Sequence, residues 1–230
     1  VLTVEGLDVE IARADVLRGV RLEVPDGATA GLIGRNGAGK TTLMRAIMGF
    51  VRPRAGRIAF AGLDLVRTAA HRRARLGIGY MPEDRRLIPR LTVEENVLMP
   101  AWATGDPSLE LRLKRIYELM PEVARLAANR ALQLSGGQQK LVALARALVC
   151  GTRLLLLDEP FEGVAPALAQ RLAEVVGDLK GEGLSVLLSE SDYTHSVDVL
   201  DHLFVIERGV VEKRRLEPSR AESKTSGGAR

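Results

Sequence analysis

One stretch, Gly34-Arg35-Asn36-Gly37-Ala38-Gly39-Lys40-Thr41-Thr42, constrains this 230-residue chain more than any other. It fits the pattern G-x-x-x-x-G-K-[ST], and its flanks give that pattern meaning. Before it, Ala28-Thr29-Ala30-Gly31-Leu32-Ile33 is a short apolar run that suits a buried parallel strand. After it, Leu43, Ala46, Ile47 and Phe50 recur at helical spacing and predict a helix over 42–50. Glycines let the backbone curl so that successive N–H groups point at one anion. The helix start adds its own positive end. In such a loop Lys40 can reach the β- and γ-phosphates of a nucleotide, and the Thr41 hydroxyl can ligate Mg²⁺. The bland alternative is a glycine-rich turn that matches by chance, and the strand and helix on either side argue against it.

The rest of the composition excludes little. The chain is long enough for one large domain with a subdomain. Its longest apolar stretches, 141–149 and 153–157, are interrupted by Arg146 and Gly151, too short to span a bilayer. The sequence opens directly in a strand-like segment, and no secretory signal is expected. The single cysteine, Cys150, rules out an intrachain disulfide, fits a reducing compartment, and lies in an apolar helix where a packed role is expected. A net charge of +4 is too small to imply a nucleic-acid partner. The basic clusters Arg72-Arg73-Arg75, Arg85-Arg86 and Lys213-Arg214-Arg215 read first as solvated surface, with anionic lipid or a membrane protein's inner face as the alternative.

Along the chain, 2–24 alternates apolar and polar residues in two stretches, which predicts antiparallel strands. Arg57–Phe60 and Ile78–Met81 read as further strands, the second stopping at Pro82. From 92 to 129 the pattern turns helical. Helix 136–150, strand 153–157, helix 166–180, strand 184–188, helix 192–199 and strand 202–206 follow. Strands alternating with helices imply a parallel sheet covered on both faces. The polar end of the chain, rich in serine and glycine, reads as a disordered tail.

Two further motifs bear on chemistry. Leu154-Leu155-Leu156-Leu157 delivers Asp158 and Glu159 to the carboxyl end of a buried strand, where open α/β sheets bind ligands. Asp158 suits Mg²⁺, and Glu159 suits polarising an attacking water. Leu134-Ser135-Gly136-Gly137-Gln138-Gln139 opens a helix that Ser135 can cap, and its glycines leave N–H groups open to an anion. One triphosphate has little need of two such sites on one chain, and pairing two chains would use both.

Together these residues resemble the ATP-binding subunit of an ABC transporter, over about residues 1–215. The Leu-Ser-Gly-Gly-Gln turn is that family's own signature. The resemblance implies an α/β fold: a P-loop NTPase (RecA-like) core, an N-terminal antiparallel β subdomain, and an inserted helical subdomain at about 92–134, with 216–230 as tail. It implies ATP and Mg²⁺ as ligands, held by Gly34 to Thr42 and by Thr41 and Asp158, with Glu83 at the position that senses Mg²⁺. Glu159 becomes the catalytic carboxylate. Ser135, Gly136, Gly137 and Gln138 would serve a nucleotide held by a second ATP-binding subunit, identical or different, with Ser135 and Gly137 meeting its γ-phosphate. The implied partners are integral membrane permease subunits and, through them, a periplasmic or extracellular substrate-binding protein, with no nucleic acid. The implied location is cytoplasmic, peripheral on the inner face of the cell membrane.

Finer stretches are similar to branched-chain amino acid (LivF-type) subunits: Tyr80-Met81-Pro82-Glu83-Asp84-Arg85-Arg86, Pro89 to Asn96, Arg115 to Pro121, and Asp158 to Pro166. Urea and amide carriers use closely similar subunits. Against the general ABC pattern, Ser191 stands at the switch-histidine position, Ile11 where an aromatic stacks on adenine, and Ala165 where an aspartate follows the catalytic carboxylate. His195 lies four residues past the switch position, in the helix expected over 192–199, and is given no role. Serine cannot supply the charge of an imidazolium. One alternative therefore stays open, a nucleotide-gated regulator with weak hydrolysis that pairs with a second ATPase; the mild basic balance permits another, an ABC ATPase outside transport.

Overall fold

The computed structural model describes residues 2–102, 104–105 and 107–216. Among them the strands form two sheets. The first is antiparallel, in the order β2-β1-β4-β5, from β1 (Leu2–Ile11), β2 (Ala14–Val24), β4 (Ala55–Phe60) and β5 (Leu63–Asp64). The second runs β10-β9-β3-β8-β7-β6, from β3 (Thr29–Ile33), β6 (Ile78–Met81), β7 (Leu154–Asp158), β8 (Ser185–Glu190), β9 (His202–Glu207) and β10 (Val210–Arg214). It is parallel except for the β9–β10 hairpin. Its parallel strands β3, β8, β7 and β6 lie side by side, so their carboxyl ends open on one crevice.

The run of four leucines in β7 follows from burial on both faces. Leu155 and Leu157 join one core, with β3 Ile33 and the helices α3 (Val93–Trp102), α6 (Gly136–Cys150) and α7 (Pro166–Gly181). Leu154 and Leu156 join the other, against the antiparallel sheet and α1 (Lys40–Met48). Each leucine is fully buried, worth about 2 kcal/mol of hydrophobic stabilisation apiece.

The helical segment after 92 comprises α3, α4 (Leu109–Leu119) and α5 (Pro121–Ala124). Thr92 opens α3 with a reciprocal cap: the Glu95 amide donates to Thr92 Oγ1 at 3.1 Å, and the Thr92 amide donates to Glu95 Oε2 at 2.7 Å. A bridge between Thr92 and Arg130 ties its two ends.

Two expectations need correction. The helix expected over 192–199 is absent: only Val197–Val199 form a 3₁₀ turn, because the Asp192 carboxylate accepts the Thr194 amide at 2.9 Å and locks a turn there. His195 is accordingly exposed on a turn, its ring centroid 6.2 Å from Phe161. The cluster 72–75 is not all solvated. Arg73, in the short helix α2 (Ala70–Arg73), is buried and donates to the carbonyls of Ala46 and Ile47 at the end of α1 and to those of Leu65 and Thr68. It neutralises the carboxyl end of α1 and anchors it. Arg72, Arg75 and the 213–215 cluster are exposed, as expected. Cys150 is buried at the end of α6. The expected tail lies, from 217 onward, outside the described residues.

Candidate active site

Gly34 leaves β3 where its amide donates to the Glu190 carbonyl of β8 at 3.0 Å. A Cβ at Gly34 would lie 2.3 Å from the Ile206 carbonyl oxygen, so the loop start admits only glycine. Gly39 has φ 115°, in the left-handed region, and caps α1 with no side chain over its first turn. The opening N–H groups of α1 are thus unclaimed by a side-chain cap and available to an anion. No acidic side chain lies in that turn to compete.

Lys40 Nζ lies 2.9 Å from Glu159 Oε1, with both side chains about 95% buried. It also donates to the Gly34 carbonyl and to that of Arg35 at 3.2 Å. The ammonium therefore fills the loop that a phosphate would occupy and is held there by groups that a phosphate can replace. Glu159 follows β7 with φ 50°, a left-handed turn that swings its carboxylate back toward the loop.

Asp158 is fully buried. It accepts from Ser189 Oγ at 2.7 Å, Thr41 Oγ1 at 3.2 Å and Tyr80 Oη at 3.3 Å. Burial pushes its carboxyl above the usual aspartate value, and the three hydroxyls oppose that shift. Thr41, Asp158, Tyr80 and Glu83 line a cavity of about 250 Å³ beside the loop. Partial burial lifts the Glu83 carboxyl, with the charges of Glu162, Asp158 and Glu159 adding to it.

Ser191 follows β8. Its amide donates to Glu159 Oε2 at 3.2 Å, and its hydroxyl lies 3.3 Å from Glu159 Oε1 and 3.0 Å from Asn36 Oδ1. One hydroxyl proton serves one of these acceptors at a time. Ser191 thus touches both the candidate general base and the loop.

The structure brings Gly34 to Thr42, Asp158, Glu159 and Glu83 together. It does not bring Ser135 to Gln138 to them. That turn is capped as expected: Ser135 Oγ accepts the Gln138 amide at 3.3 Å, and Gln138 Oε1 accepts the Ser135 amide at 2.9 Å. Its neighbours are Arg85, which donates to the Gly136 carbonyl at 3.2 Å, and Leu168 beside Gly137. Ser135 and Gly136 are exposed, facing outward. Ile11 is exposed at the tip of the β1–β2 hairpin, and Ala165 precedes α7 without a side-chain cap.

Two residues escaped the sequence reading. Lys140, buried in α6, donates to the Glu159 carbonyl at 2.8 Å and to that of Glu162, fixing the backbone that carries the carboxylate. A lysine opening an apolar helix was its only signal. Glu190 accepts the Phe161 amide at 2.9 Å, and burial raises its carboxyl to about 8, helped by the charge of nearby Glu159. It sits past the point where strand 184–188 was expected to end.

Comparison with known proteins settles the family. The sequence model of the ABC transporter family matches residues 17–162. This chain belongs to the ABC transporter family. It is an ATPase, built on the cassette fold of that family. A similar protein in Pseudomonas aeruginosa, the high-affinity branched-chain amino acid transport ATP-binding protein BraG, is 35% identical over 90% of this chain and 89% of its own. The lipopolysaccharide export system ATP-binding protein LptB of Escherichia coli K12 is 34% identical over 90% of this chain and 87% of its own. Among solved structures, the ADP conformation of MJ1267, an ATP-binding cassette of an ABC transporter, superposes with a TM-score of 0.83 at 29% identity, covering 94% and 91% of the two chains.

In this ABC ATPase no helix among the described residues is long and apolar enough to cross a membrane. No three His, Cys, Asp or Glu side chains among them gather as a metal cage. Mg²⁺ needs none: it is commonly held by one or two carboxylates with substrate phosphates and water. The Thr41 hydroxyl beside the Asp158 carboxylate fits that requirement.

Proposed function

We propose that this chain is the ATP-hydrolysing subunit of an importer for branched-chain or related amino acids, acting on membrane permease subunits from their inner face. The observation that carries the hydrolytic reading is the buried Lys40–Glu159 pair inside the glycine loop. When a triphosphate enters, Lys40 exchanges the Glu159 carboxylate for phosphate oxygens. Glu159, released but still held by the Ser191 amide, is then placed to take a proton from an attacking water. Thr41 and Asp158 would hold Mg²⁺, with Glu83 at its edge, and the ion would draw charge from the phosphate oxygens. The outward-facing turn at Ser135 supports a two-cassette arrangement, in which Ser135 to Gln138 serve the nucleotide of a second ATP-binding subunit, identical or different. A substrate-binding protein outside the membrane would deliver cargo to the permease.

The cargo reading leans on the likeness to BraG and on the stretches 80–86 and 158–166. LptB, at almost the same identity, names a different cargo. Urea or amide cargo is a variant of the same reading. The test is reconstitution with the permease co-purified from the native membrane: ATPase activity stimulated by a leucine-loaded binding protein supports it, and stimulation by lipopolysaccharide instead overturns the cargo.

A second reading, a nucleotide-gated regulator that turns over slowly and pairs with another ATPase, is favoured by Ser191 on Glu159. ATPase rate measured against concentration of the chain, with Glu159→Gln as blank, separates the two. A specific rate that climbs with concentration supports a self-completing enzyme, and a rate equal to the blank throughout supports the regulator.

A further inference from the structure

Away from the nucleotide loop, a second cavity of about 250 Å³ opens between α4, the carboxyl end of α6 and the carboxyl end of α7. Its floor is aliphatic, with Ile116, Leu148 and Leu179 each nearly buried. Its rim carries both signs of charge. Arg112 and Arg115 stand three residues apart on α4, hence on one face of the helix. Glu182 sits just past the end of α7. Arg112 Nη1 donates to the Val149 carbonyl at 3.0 Å, and Arg115 forms an ion pair with Glu182.

The volume lies just under the range of about 300–1,000 Å³ usual for drug-sized ligands, which points to something smaller. Among the described residues no aromatic ring lines it, so a nucleobase would find nothing to stack on. A simple dianion would meet Glu182. An aliphatic acid would satisfy the arginines and leave Glu182 competing with it. A small zwitterion with a branched aliphatic side chain answers every feature: carboxylate to the arginines, ammonium to Glu182, side chain on the aliphatic floor. The Arg115–Glu182 pair is about half exposed and can open to admit such a ligand at little cost.

We propose that this cavity is a binding site for a free aliphatic α-amino acid, distinct from the ATP site. The ligand class coincides with the cargo proposed above, but the inference does not rest on that reading, because it follows from the walls of the cavity. The site spans α4 and α7, so an occupant tethers the helical segment to the parallel-sheet core.

The test is titration of L-leucine into the full methyl-labelled chain without nucleotide or permease, followed by the methyl resonances of Ile116, Leu148 and Leu179. Isocaproate, which lacks the ammonium, and isopentylamine, which lacks the carboxylate, are titrated in parallel. Saturable shifts at these methyls are expected, with a dissociation constant on the order of 1 mM or tighter. Each analogue should bind about tenfold more weakly or worse, as should leucine to Arg115→Gln and to Glu182→Gln, because each change removes a charge-assisted contact. The melting temperature of each variant reports whether it folds, and the analogue series on the unmodified chain stands whether or not they do. No saturable shift at these methyls, or isocaproate binding as tightly as leucine, would overturn the site. Neither result bears on whether the chain energises amino-acid import, which the reconstituted ATPase assay decides separately.

Discussion

The Lys40 ammonium and the Glu159 carboxylate, 2.9 Å apart and both shut away from solvent, neutralise each other inside the glycine loop proposed to receive phosphate. Removing one partner strands the other charge in a poorly solvated place, which typically costs about 3–5 kcal/mol. Removing both relieves much of that. Urea denaturation of Lys40→Met, Glu159→Gln and the double variant should therefore give a coupling energy of about 1–3 kcal/mol, the double being less destabilised than the sum. Strict additivity would show that the pair does not exist in solution.

On the proposed mechanism nucleotide takes Lys40 from Glu159, so the carboxylate opposes binding while it supports chemistry. Glu159→Gln should lower the maximal ATPase rate by roughly 10²–10⁴-fold, as expected for loss of a general base. Its affinity for ATP should be equal to or tighter than that of the unmodified chain. Steady-state rates and equilibrium binding measured on the same preparation check both halves, and wild-type turnover in this variant would remove Glu159 from the mechanism.

Ser191 holds Glu159 by its amide and reaches Asn36 and Glu159 by its hydroxyl. Ser191→Ala keeps the amide and loses the hydroxyl, whose proton is shared between Asn36 and Glu159 and whose bond is worth about 1.5–3 kcal/mol when the charged carboxylate takes it. The ATPase rate should fall about tenfold or more with little change in ATP affinity. Ser191→His should raise turnover if a histidine is what this position lacks. A rate unmoved by either change would make the position a spacer.

Glu190 titrates well above an ordinary glutamate because it is buried beside Glu159. Its raised folded-state value means that the native state holds a proton the unfolded chain has released. The stability this contributes is fully present below the unfolded value of 4.5 and is lost as pH rises through about 8. Urea midpoints measured from pH 6 to pH 9 should fall with pH, and Glu190→Gln should flatten that decline. A wild-type slope retained by the variant would assign the pH dependence to another group.

Much of the site was legible because its signals are local. Glycines at 34, 37 and 39, a lysine and a threonine at the helix start, and a leucine strand ending in Asp158-Glu159 each follow from backbone geometry or burial within a few residues. The cap on α6 was legible for the same reason: Ser135 and Gln138 are three residues apart. Where a local polar group overrode periodicity, the reading failed, as with Asp192 turning the chain where a helix over 192–199 was expected. The hairpin strand β10 was missed because its residues are largely exposed and carry little apolar pattern.

The sequence by itself determined the fold class, the family signature and the glycine loop proposed to bind phosphate, since short-range patterning and φ preferences encode them. Only the tertiary structure decided that Lys40 rests on Glu159, that Arg73 is buried under α1 instead of solvated, and that Ser191 touches the proposed general base. Those contacts join residues far apart in the chain, and which charges meet, and which lose their water, is set by the packing of whole elements against one another.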